Sequence, residues 1–227
     1  MTHDDRDKQM AELARRHLVK GDPTGWFEEL YRAADGDAAR VPWADLAPHP
    51  ALADFLARHG VSGRRALVIG CGLGDDAEAL SAAGADVTAF DISATCIAWC
   101  RRRFPDTRVH YEALDLILAA DSWPEGFATV VEIYTVQSLP LALRETAFEA
   151  VAALVAPGGR LLVACRGRDD DPPTSGDDPT FRLPGPPWAV SHDELGGLER
   201  HGLTEMRFAD YEDDAGVRRF VAEYARP

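Results

Sequence analysis

The segment that most constrains the fold is "ALVIGCGLGDD", residues 66–76, where a short apolar run leads directly into three alternate glycines. Such a run is typical of a parallel strand that is buried on both faces of a sheet. The glycines permit a tight turn, and "DDAEALSAAGA", residues 75–85, continues with the apolar spacing of a helix. A buried strand that turns at once into a helix begins a β-α-β unit, so the segment predicts an open parallel sheet.

The same alternation continues along the chain. Further strands are predicted at 86–91, 108–115, 127–134 and 159–167, and a terminal hairpin at 203–213 and 217–227. Further helices are predicted at 93–104, 141–155 and 191–202. We therefore predict an α/β, Rossmann-like, doubly wound and mostly parallel seven-stranded sheet with an antiparallel C-terminal hairpin. Residues 168–188 are acidic and rich in proline and glycine, which favours a long loop.

Residues 1–60 stand outside this pattern. They are helical in character but interrupted by prolines and tryptophans, as in "DPTGWFEEL" and "VPWADLAPHPALADFL". We interpret residues 1–60 as an N-terminal helical lid and residues 61–227 as a single compact domain.

Charge and composition narrow the class of partner. The net charge is −14, whereas nucleic acids and anionic membranes bind basic surfaces. No apolar run is long enough to cross a membrane, and the N-terminal residues lack the apolar core of a secretion signal. The four cysteines form no CxxC pair and are expected to be reduced and buried, without a metal. We predict a cytoplasmic monomer or homodimer that acts on a small molecule.

The glycine turn itself indicates the ligand. Gly70, Gly72 and Gly74 form G-x-G-x-G, and Asp75 stands where the dinucleotide fingerprint has its last glycine. Asp75 and Asp76 would repel a pyrophosphate at this helix N-terminus. A neutral or positive ligand is favoured instead, and S-adenosylmethionine, with a sulfonium and an ammonium but no phosphate, fits.

Two carboxylates at the ends of the next strands agree with this interpretation. Asp91 ends the second strand, where it can accept hydrogen bonds from ribose hydroxyls. Asp115 follows the third strand, where it can accept a hydrogen bond from an adenine amino group while Leu116 flanks the ring. Either aspartate alone could simply cap the next helix. Their order after a glycine turn favours a cofactor site.

Residues 64–165 resemble a class I S-adenosylmethionine-dependent methyltransferase. The closer resemblance is to the thiopurine and halide/thiol methyltransferase group, whose turn reads "ALVPGCGxGxD" where this chain has "ALVIGCGLGDD". "VPWADLAPHPALADFL" resembles that group's "PWDxGxPxPxL", and "GPPWAVSHDEL" resembles its "GPPYxVSxxxY". The resemblance implies that Trp43 lines the cleft for the methyl donor and the substrate. The "NPP" motif of amino-group methyltransferases is absent.

These observations give a set of candidate site residues. For the cofactor we predict Trp43, Gly70, Cys71, Gly72, Gly74, Asp76, Asp91, Ile92, Asp115, Leu116 and Glu132. For the substrate cleft we predict Trp26, Tyr134 and Trp188, because aromatic rings attract a sulfonium. Tyr134, His49 and His192 are catalytic candidates, although no motif marks any of them as a base.

The predicted function is transfer of a methyl group from S-adenosylmethionine to a small-molecule nucleophile by in-line displacement, leaving S-adenosylhomocysteine. We expect the nucleophile to be a thiol, since a thiol has a pKa near 8.5 and needs little help from a base. An O- or N-methyltransferase of a small natural product is the alternative within the same class. A non-catalytic protein that binds S-adenosylmethionine is an alternative from a different class.

Overall fold

The computed structural model describes residues 3–123, 126–170 and 185–227, and the segment 171–184 of the predicted loop lies outside these residues. Helices in the N-terminal part are α1 (His3–Leu18), α2 (Gly25–Ala34) and α3 (Pro50–Arg58). The remaining helices are α4 (Asp75–Ala82), α5 (Ala94–Arg103), α6 (Leu116–Ser122), α7 (Arg144–Ala153), α8 (His192–Leu195) and α9 (Gly197–Arg200). The strands are β1 (Arg65–Ile69), β2 (Asp86–Asp91), β3 (His110–Ala113), β4 (Phe127–Ile133), β5 (Val155–Arg168), β6 (Val190–Ser191), β7 (Thr204–Glu212) and β8 (Arg218–Ala225).

The strands form one sheet in the order β3-β2-β1-β4-β5-β8-β7. The first five strands are parallel, and β7 and β8 form the predicted antiparallel hairpin. This confirms the Rossmann-like, mostly parallel prediction. The described strands number eight rather than seven, because the two-residue β6 pairs in parallel with the end of β5.

Alternate residues of β1 explain why helices cover both faces of the sheet. Leu67 and Ile69 pack into a core with residues of α6, α7 and α9. Ala66 and Val68 pack into the opposite core with residues of α3, α4 and α5. A strand buried on both faces must be apolar at every position, which is what the "ALVI" run encodes.

The predicted helix over 191–202 differs in one respect. Ser191 and Glu194 form a capping box, in which the Ser191 Oγ accepts from the Glu194 N–H. The helix is interrupted at Gly196, which separates α8 from α9. A Cβ at Gly197 would lie 2.8 Å from the Phe148 ring, so the break lets the backbone pass close to α7.

The three N-terminal helices pack in two different clusters. Leu52 and Phe55 of α3 are fully buried in the sheet core, and His59, just after α3, contacts Glu223 of β8 at 2.9 Å. In contrast, α1 and α2 form a separate cluster that packs on α5 through Trp99. Among the described residues, no helix has the length and apolar character needed to cross a membrane.

Candidate active site

A cavity of about 470 Å³ opens at the carboxyl ends of the parallel strands. Its walls come from the N-terminal segment, the glycine turn after β1, the ends of β2, β3 and β4, and the hairpin strand β8. Open α/β sheets bind ligands at this edge, so the topology alone points to this cavity.

The glycines of the turn serve different needs. Gly70 and Gly72 line the cavity and have left-handed φ values of 58° and 51°. A Cβ at Gly70 would lie 2.1 Å from the Thr135 Oγ1, so the turn and the loop after β4 touch here. Gly74 (φ 93°) precedes α4 and is not part of the cavity wall, and a Cβ there would lie 2.5 Å from the Tyr111 Oη. Gly74 therefore serves the packing of the turn on β3.

Asp91 lies beneath the glycine turn at the end of β2. The Gly72 N–H donates to its Oδ2 at 3.2 Å, and the Ser93 N–H donates to its Oδ1 at 2.9 Å. The side chain lines the cavity although it is only 7% exposed. Burial raises its pKa to about 7, against the opposing effect of these two hydrogen bonds. Asp91 thus holds the shape of the turn and presents a carboxylate to a ligand.

The other cofactor candidates at this end surround the same space. Asp115 lines the cavity and also caps α6, since its Oδ1 accepts from the Ile117 N–H at 2.8 Å. The two readings of Asp115, a helix cap and a ligand group, are therefore compatible. Cys71, Ile92 and Leu116 line the cavity as well.

Three thiols lie behind the glycine turn. The Cys96 and Cys100 thiols donate to the Gly72 carbonyl oxygen at 2.8 and 3.0 Å, with Cys71 next to them. All four cysteines are free and buried, as expected. Across the described ranges, no group of three His, Cys, Asp or Glu side chains is arranged to hold a metal ion.

An aromatic wall faces the carboxylates. Trp43 lines the cavity, and its Nε1–H donates to the Tyr31 Oη at 2.9 Å. Phe27 and Tyr31 lie one turn apart on α2 and also line the cavity. Aromatic faces attract cations, so this wall suits a sulfonium.

The end of β4 contributes Tyr134, a non-glycine residue with a left-handed φ of 65°. Its Oη lies 2.9 Å from the His49 Nε2. The Ala51 N–H donates to the His49 Nδ1 at 3.2 Å, so the proton of the neutral imidazole is on Nε2 and points at the tyrosine oxygen. Burial lowers the pKa of His49 and raises that of Tyr134, which keeps both groups neutral.

Asp76 links the glycine turn to this pair. Its Oδ1 accepts from the His49 backbone N–H at 2.8 Å, and its side chain lines the cavity. Burial raises the pKa of Asp76 to about 6, and the neighbouring charges of Asp75 and Asp45 act in the same direction.

These features fit S-adenosylmethionine better than a nucleotide phosphate. The end of the cavity beside the glycine turn, called the donor end below, holds the carboxylates of Asp91, Asp115 and Asp76. These carboxylates can accept hydrogen bonds from hydroxyl, amino and ammonium groups. Asp75 forms a salt bridge with Arg103 at 2.8 Å. The Arg103 guanidinium is therefore already paired with a carboxylate and is not available to a phosphate.

Comparison with known proteins agrees with this chemistry. Residues 66–159 match the family described as a methyltransferase domain. This match includes the glycine turn and Asp91 and supports S-adenosylmethionine as the cofactor.

Two curated relatives carry the same name, ubiquinone biosynthesis O-methyltransferase. The protein from Dechloromonas aromatica (strain RCB) is 26% identical over 71% of this chain and 62% of its own length. The protein from Alkalilimnicola ehrlichii (strain ATCC BAA-1101 / DSM 17681 / MLHE-1) is 30% identical over 61% of this chain and 60% of its own length. The chain therefore spans about three fifths of the curated relatives that it matches.

A solved structure shares the fold of the domain. The N-methyltransferase NodS from Bradyrhizobium japonicum WM9, in complex with S-adenosylhomocysteine, superposes with a TM-score of 0.66 at 22% identity. The alignment covers 87% of this chain and 98% of that chain.

Several predicted site residues lie away from the cavity. Trp26 is 1% exposed and packs in the core of α1 and α2, stacked on Phe27 at 3.8 Å, because its helix turns that side inward. Trp188 is buried and is held through its backbone, whose N–H donates to the Gln137 carbonyl at 2.7 Å. Neither Trp26 nor Trp188 lines this cavity, whereas Tyr134, the third predicted cleft residue, does.

Glu132 and His192 also lie outside the cavity wall. Glu132 is buried below the cavity, where its Oε1 accepts from the Thr135 and Val136 N–H groups at 2.7 and 3.0 Å. His192 is half exposed, pairs with Glu205 at 2.9 Å and stacks on Phe208. Glu132 supports the loop after β4, and His192 of α8 packs at the surface against the hairpin residues Glu205 and Phe208.

The sequence analysis missed several wall residues: Phe27, Tyr31, Asp45, Thr135, Arg166 and Arg219. A spacing of four between Phe27 and Tyr31 places both on one face of a helix, which is a readable signal. Arg166 and Arg219 are 53 positions apart in the printed sequence and meet only because β5 pairs with β8.

Proposed function

We propose that the chain is an S-adenosylmethionine-dependent methyltransferase that moves a methyl group to a small-molecule nucleophile by in-line displacement. The observation that carries the proposal is the single cavity. It joins the glycine turn, Asp91 and the aromatic wall at one end to Tyr134 at the other. Bringing a nucleophile and a methyl carbon to about 3–3.5 Å in line is the main task of such an enzyme.

At the donor end, the chain binds and orients the cofactor. Asp91 accepts hydrogen bonds from the ribose hydroxyls, and Asp115 accepts one from the adenine amino group. Trp43 and Tyr31 face the sulfonium through their rings. When bound, S-adenosylmethionine supplies a methyl group on a positively charged sulfur.

At the other end of the cavity, which contains His49 and Tyr134 and which we call the acceptor end, we favour a thiol as the group that receives the methyl. The His49 Nε2 carries the imidazole proton, so His49 has no lone pair facing Tyr134 with which to take one. Burial raises the pKa of Tyr134, so its hydroxyl stays protonated. A thiol is already partly ionised near neutral pH and needs neither group as a base.

O-methylation is the second candidate, favoured by the names of the curated relatives. Asp76 lines the cavity with a pKa of about 6, which is suitable for a general base. N-methylation has the support of the structural relative NodS. Location in the cytoplasm and a monomeric or dimeric state stay predictions.

We also propose that α1, α2 and the segment 35–49 act as a lid that cofactor stabilises. Glu28 of α2 contacts the start of α5, where its carboxylate accepts from the Ser93 Oγ at 2.7 Å and the Thr95 Oγ1 at 2.6 Å. Because Trp43 and Tyr31 also line the cavity, a ligand there would hold this segment from inside.

Thermal denaturation with S-adenosylmethionine, S-adenosylhomocysteine or, as a dinucleotide control, NADH tests the assignment of the cofactor. A ligand at 100 times its dissociation constant adds about 2.7 kcal/mol of apparent stability, and we expect this for the first two ligands. A shift with NADH alone would contradict the proposal. A screen of thiols, phenols, amines and halides with labelled methyl donor then distinguishes an enzyme from a non-catalytic binding protein.

A further inference from the structure

Two arginines meet at the acceptor end of the cavity. Arg166 of β5 and Arg219 of β8 are directly opposite partners in the antiparallel ladder, and both line the cavity. Side chains of directly opposite residues lie on the same face of the sheet with Cβ atoms about 5 Å apart. Both side chains therefore extend from the same face of the sheet at this end of the cavity.

The charge of this end contrasts with the rest of the wall. Among the described residues that line the cavity, Arg166 and Arg219 are the only lysine or arginine side chains. Five aspartates line the remainder: Asp45, Asp75, Asp76, Asp91 and Asp115. The positive end stands out further because the whole chain has a net charge of −14.

Arg219 is fixed in place and its charge acts on the cavity. Its Nε–H donates to Asp213 at 2.8 Å, and its guanidinium lies over the Tyr134 ring, 5.2 Å from the centroid. Its side chain is 18% exposed. After burial, the Arg219 charge is the next cause that lowers the pKa of His49. The guanidinium therefore lies within electrostatic reach of both groups at the acceptor end.

We propose that the methyl acceptor carries an anionic oxygen group, a carboxylate or a phosphate, that Arg166 and Arg219 bind together. The proposal rests on the proposed function, since it assigns the substrate class of the same site. Arginine offers several N–H donors in a planar fork, and charge-assisted bonds to carboxylate or phosphate oxygens are about twice as strong as neutral ones. The acidic donor end would repel the same anion, so the acceptor can bind in one orientation only.

The test uses the full chain saturated with S-adenosylhomocysteine. Calorimetry measures the binding of benzoate, phenyl phosphate, iodide and the neutral benzamide. We expect benzoate or phenyl phosphate to bind at least tenfold more tightly than benzamide, and iodide to bind no better than benzamide. The stronger of the two oxygen anions identifies the group that the site takes.

Variants attribute the anion binding to the pair. R219Q and R166Q should each lose about tenfold in affinity for the preferred anion, and R219K should retain most of it. R207Q removes the same charge from an exposed position of the same hairpin and should change affinity less than twofold. Unchanged affinity for S-adenosylhomocysteine shows that each variant is folded.

Equal binding of benzoate, phenyl phosphate and benzamide would overturn the proposal, as would identical losses in R219Q and R207Q. Preferred binding of iodide would also overturn it, because the positive charge would then serve the reacting atom itself. None of these results affects the proposed function. Failure of the wild-type chain to bind S-adenosylhomocysteine would contradict that function instead.

Discussion

The donor end and the acceptor end of the cavity are built in different ways. The donor end comes from short segments that directly follow β1, β2 and β3, so Gly70, Asp91 and Asp115 are fixed by the strands that precede them. The acceptor end combines His49, Tyr134, Arg166 and Arg219 from four separate parts of the chain. A donor site set by local backbone geometry tolerates little change, whereas an assembled acceptor site can be altered one residue at a time.

The largest expected effect is on stability, at the turn of the donor end. Gly70→Ala should lower the free energy of unfolding by about 3 kcal/mol, combining left-handed strain with a clash against Thr135. Gly72→Ala is the matched control: its φ is also left-handed, but its nearest cavity neighbour, the Tyr31 Oη, is 3.7 Å away. It should cost about 1 kcal/mol. Urea denaturation measures both, and equal losses would show that the contact with Thr135 is not tight.

Asp91 should give the largest effect on cofactor affinity. Asp91→Asn weakens acceptance from the ribose hydroxyls, so affinity for S-adenosylhomocysteine should fall at least tenfold, since a hydrogen bond to a charged group contributes about 1.5–3 kcal/mol. Because the Asp91 pKa is raised to about 7, wild-type affinity should increase as the pH rises through 7, and the variant should lack this dependence. Calorimetry at pH 6 and 8 tests both points, with Asp86→Asn at the exposed start of β2 as control. An unchanged dissociation constant would remove Asp91 from the donor site.

At the acceptor end, replacement of His49 should have a small effect if the nucleophile is a thiolate. His49→Gln should reduce the rate less than tenfold, because general-base catalysis normally contributes 10²–10⁴. His110→Gln and His192→Gln, which lie outside the cavity wall, are the controls. The wild-type rate should rise with pH up to the pKa of the bound thiol. A thousandfold loss at His49 with intact cofactor binding would instead identify a base and favour a hydroxyl or amine acceptor.

The lid should respond to ligand at the donor end. Hydrogen exchange of residues 20–50 should slow when S-adenosylhomocysteine binds. Glu28→Gln weakens the contacts with Ser93 and Thr95, so exchange of α2 should be faster in the free variant. Glu12→Gln changes an exposed carboxylate of α1 and should leave the exchange of α2 unaltered. Identical exchange with and without ligand would argue against a lid.

The smallest effect concerns the pH dependence of stability at the acceptor end. Burial raises the pKa of Glu132 from 4.5 to about 7, so the folded state retains a proton that the unfolded state loses. The free energy of unfolding should therefore fall as the pH rises from about 4.5 to about 7 and then level off. Glu132→Gln should make this decline shallower, whereas Glu149→Gln, at an exposed site of α7, should preserve it. Equal slopes in both variants would show that Glu132 does not titrate in this window.

The donor end was predictable because each of its signals lies within a few residues. The apolar strand, the glycines and Asp91 belong to one β-α-β unit. The spacing of the apolar residues and the glycines of the turn are sufficient to predict where each of them lies. Trp26 shows the limit of that reasoning. Two adjacent aromatic residues open α2, and only the helix phase decides that Phe27 faces the cavity while Trp26 enters the core.

The acceptor end was not predictable from local sequence. Tyr134 was predicted as an aromatic side chain of the substrate cleft, but its contact with His49 spans 85 positions. The pairing of β5 with β8 places Arg166 opposite Arg219. The register between two strands so far apart in the chain cannot be inferred from the residues next to either arginine. The two-residue β6 was missed for a similar reason, since its pairing with β5 depends on how the chain returns to the sheet edge.

The contact between Gly70 and Thr135 has a consequence for engineering this protein. The Thr135 Oγ1–H donates to the Ile69 carbonyl at 3.2 Å, so the loop after β4 is joined to the strand that carries the glycine turn. Libraries aimed at new acceptors that include position 135 would therefore also perturb cofactor binding, and losses of either kind would be hard to separate. Leu143 also lines the cavity and is only partly buried, whereas Leu139 is 6% exposed and belongs to the sheet core. Position 143 is therefore the better starting point for changing specificity while the donor site stays intact.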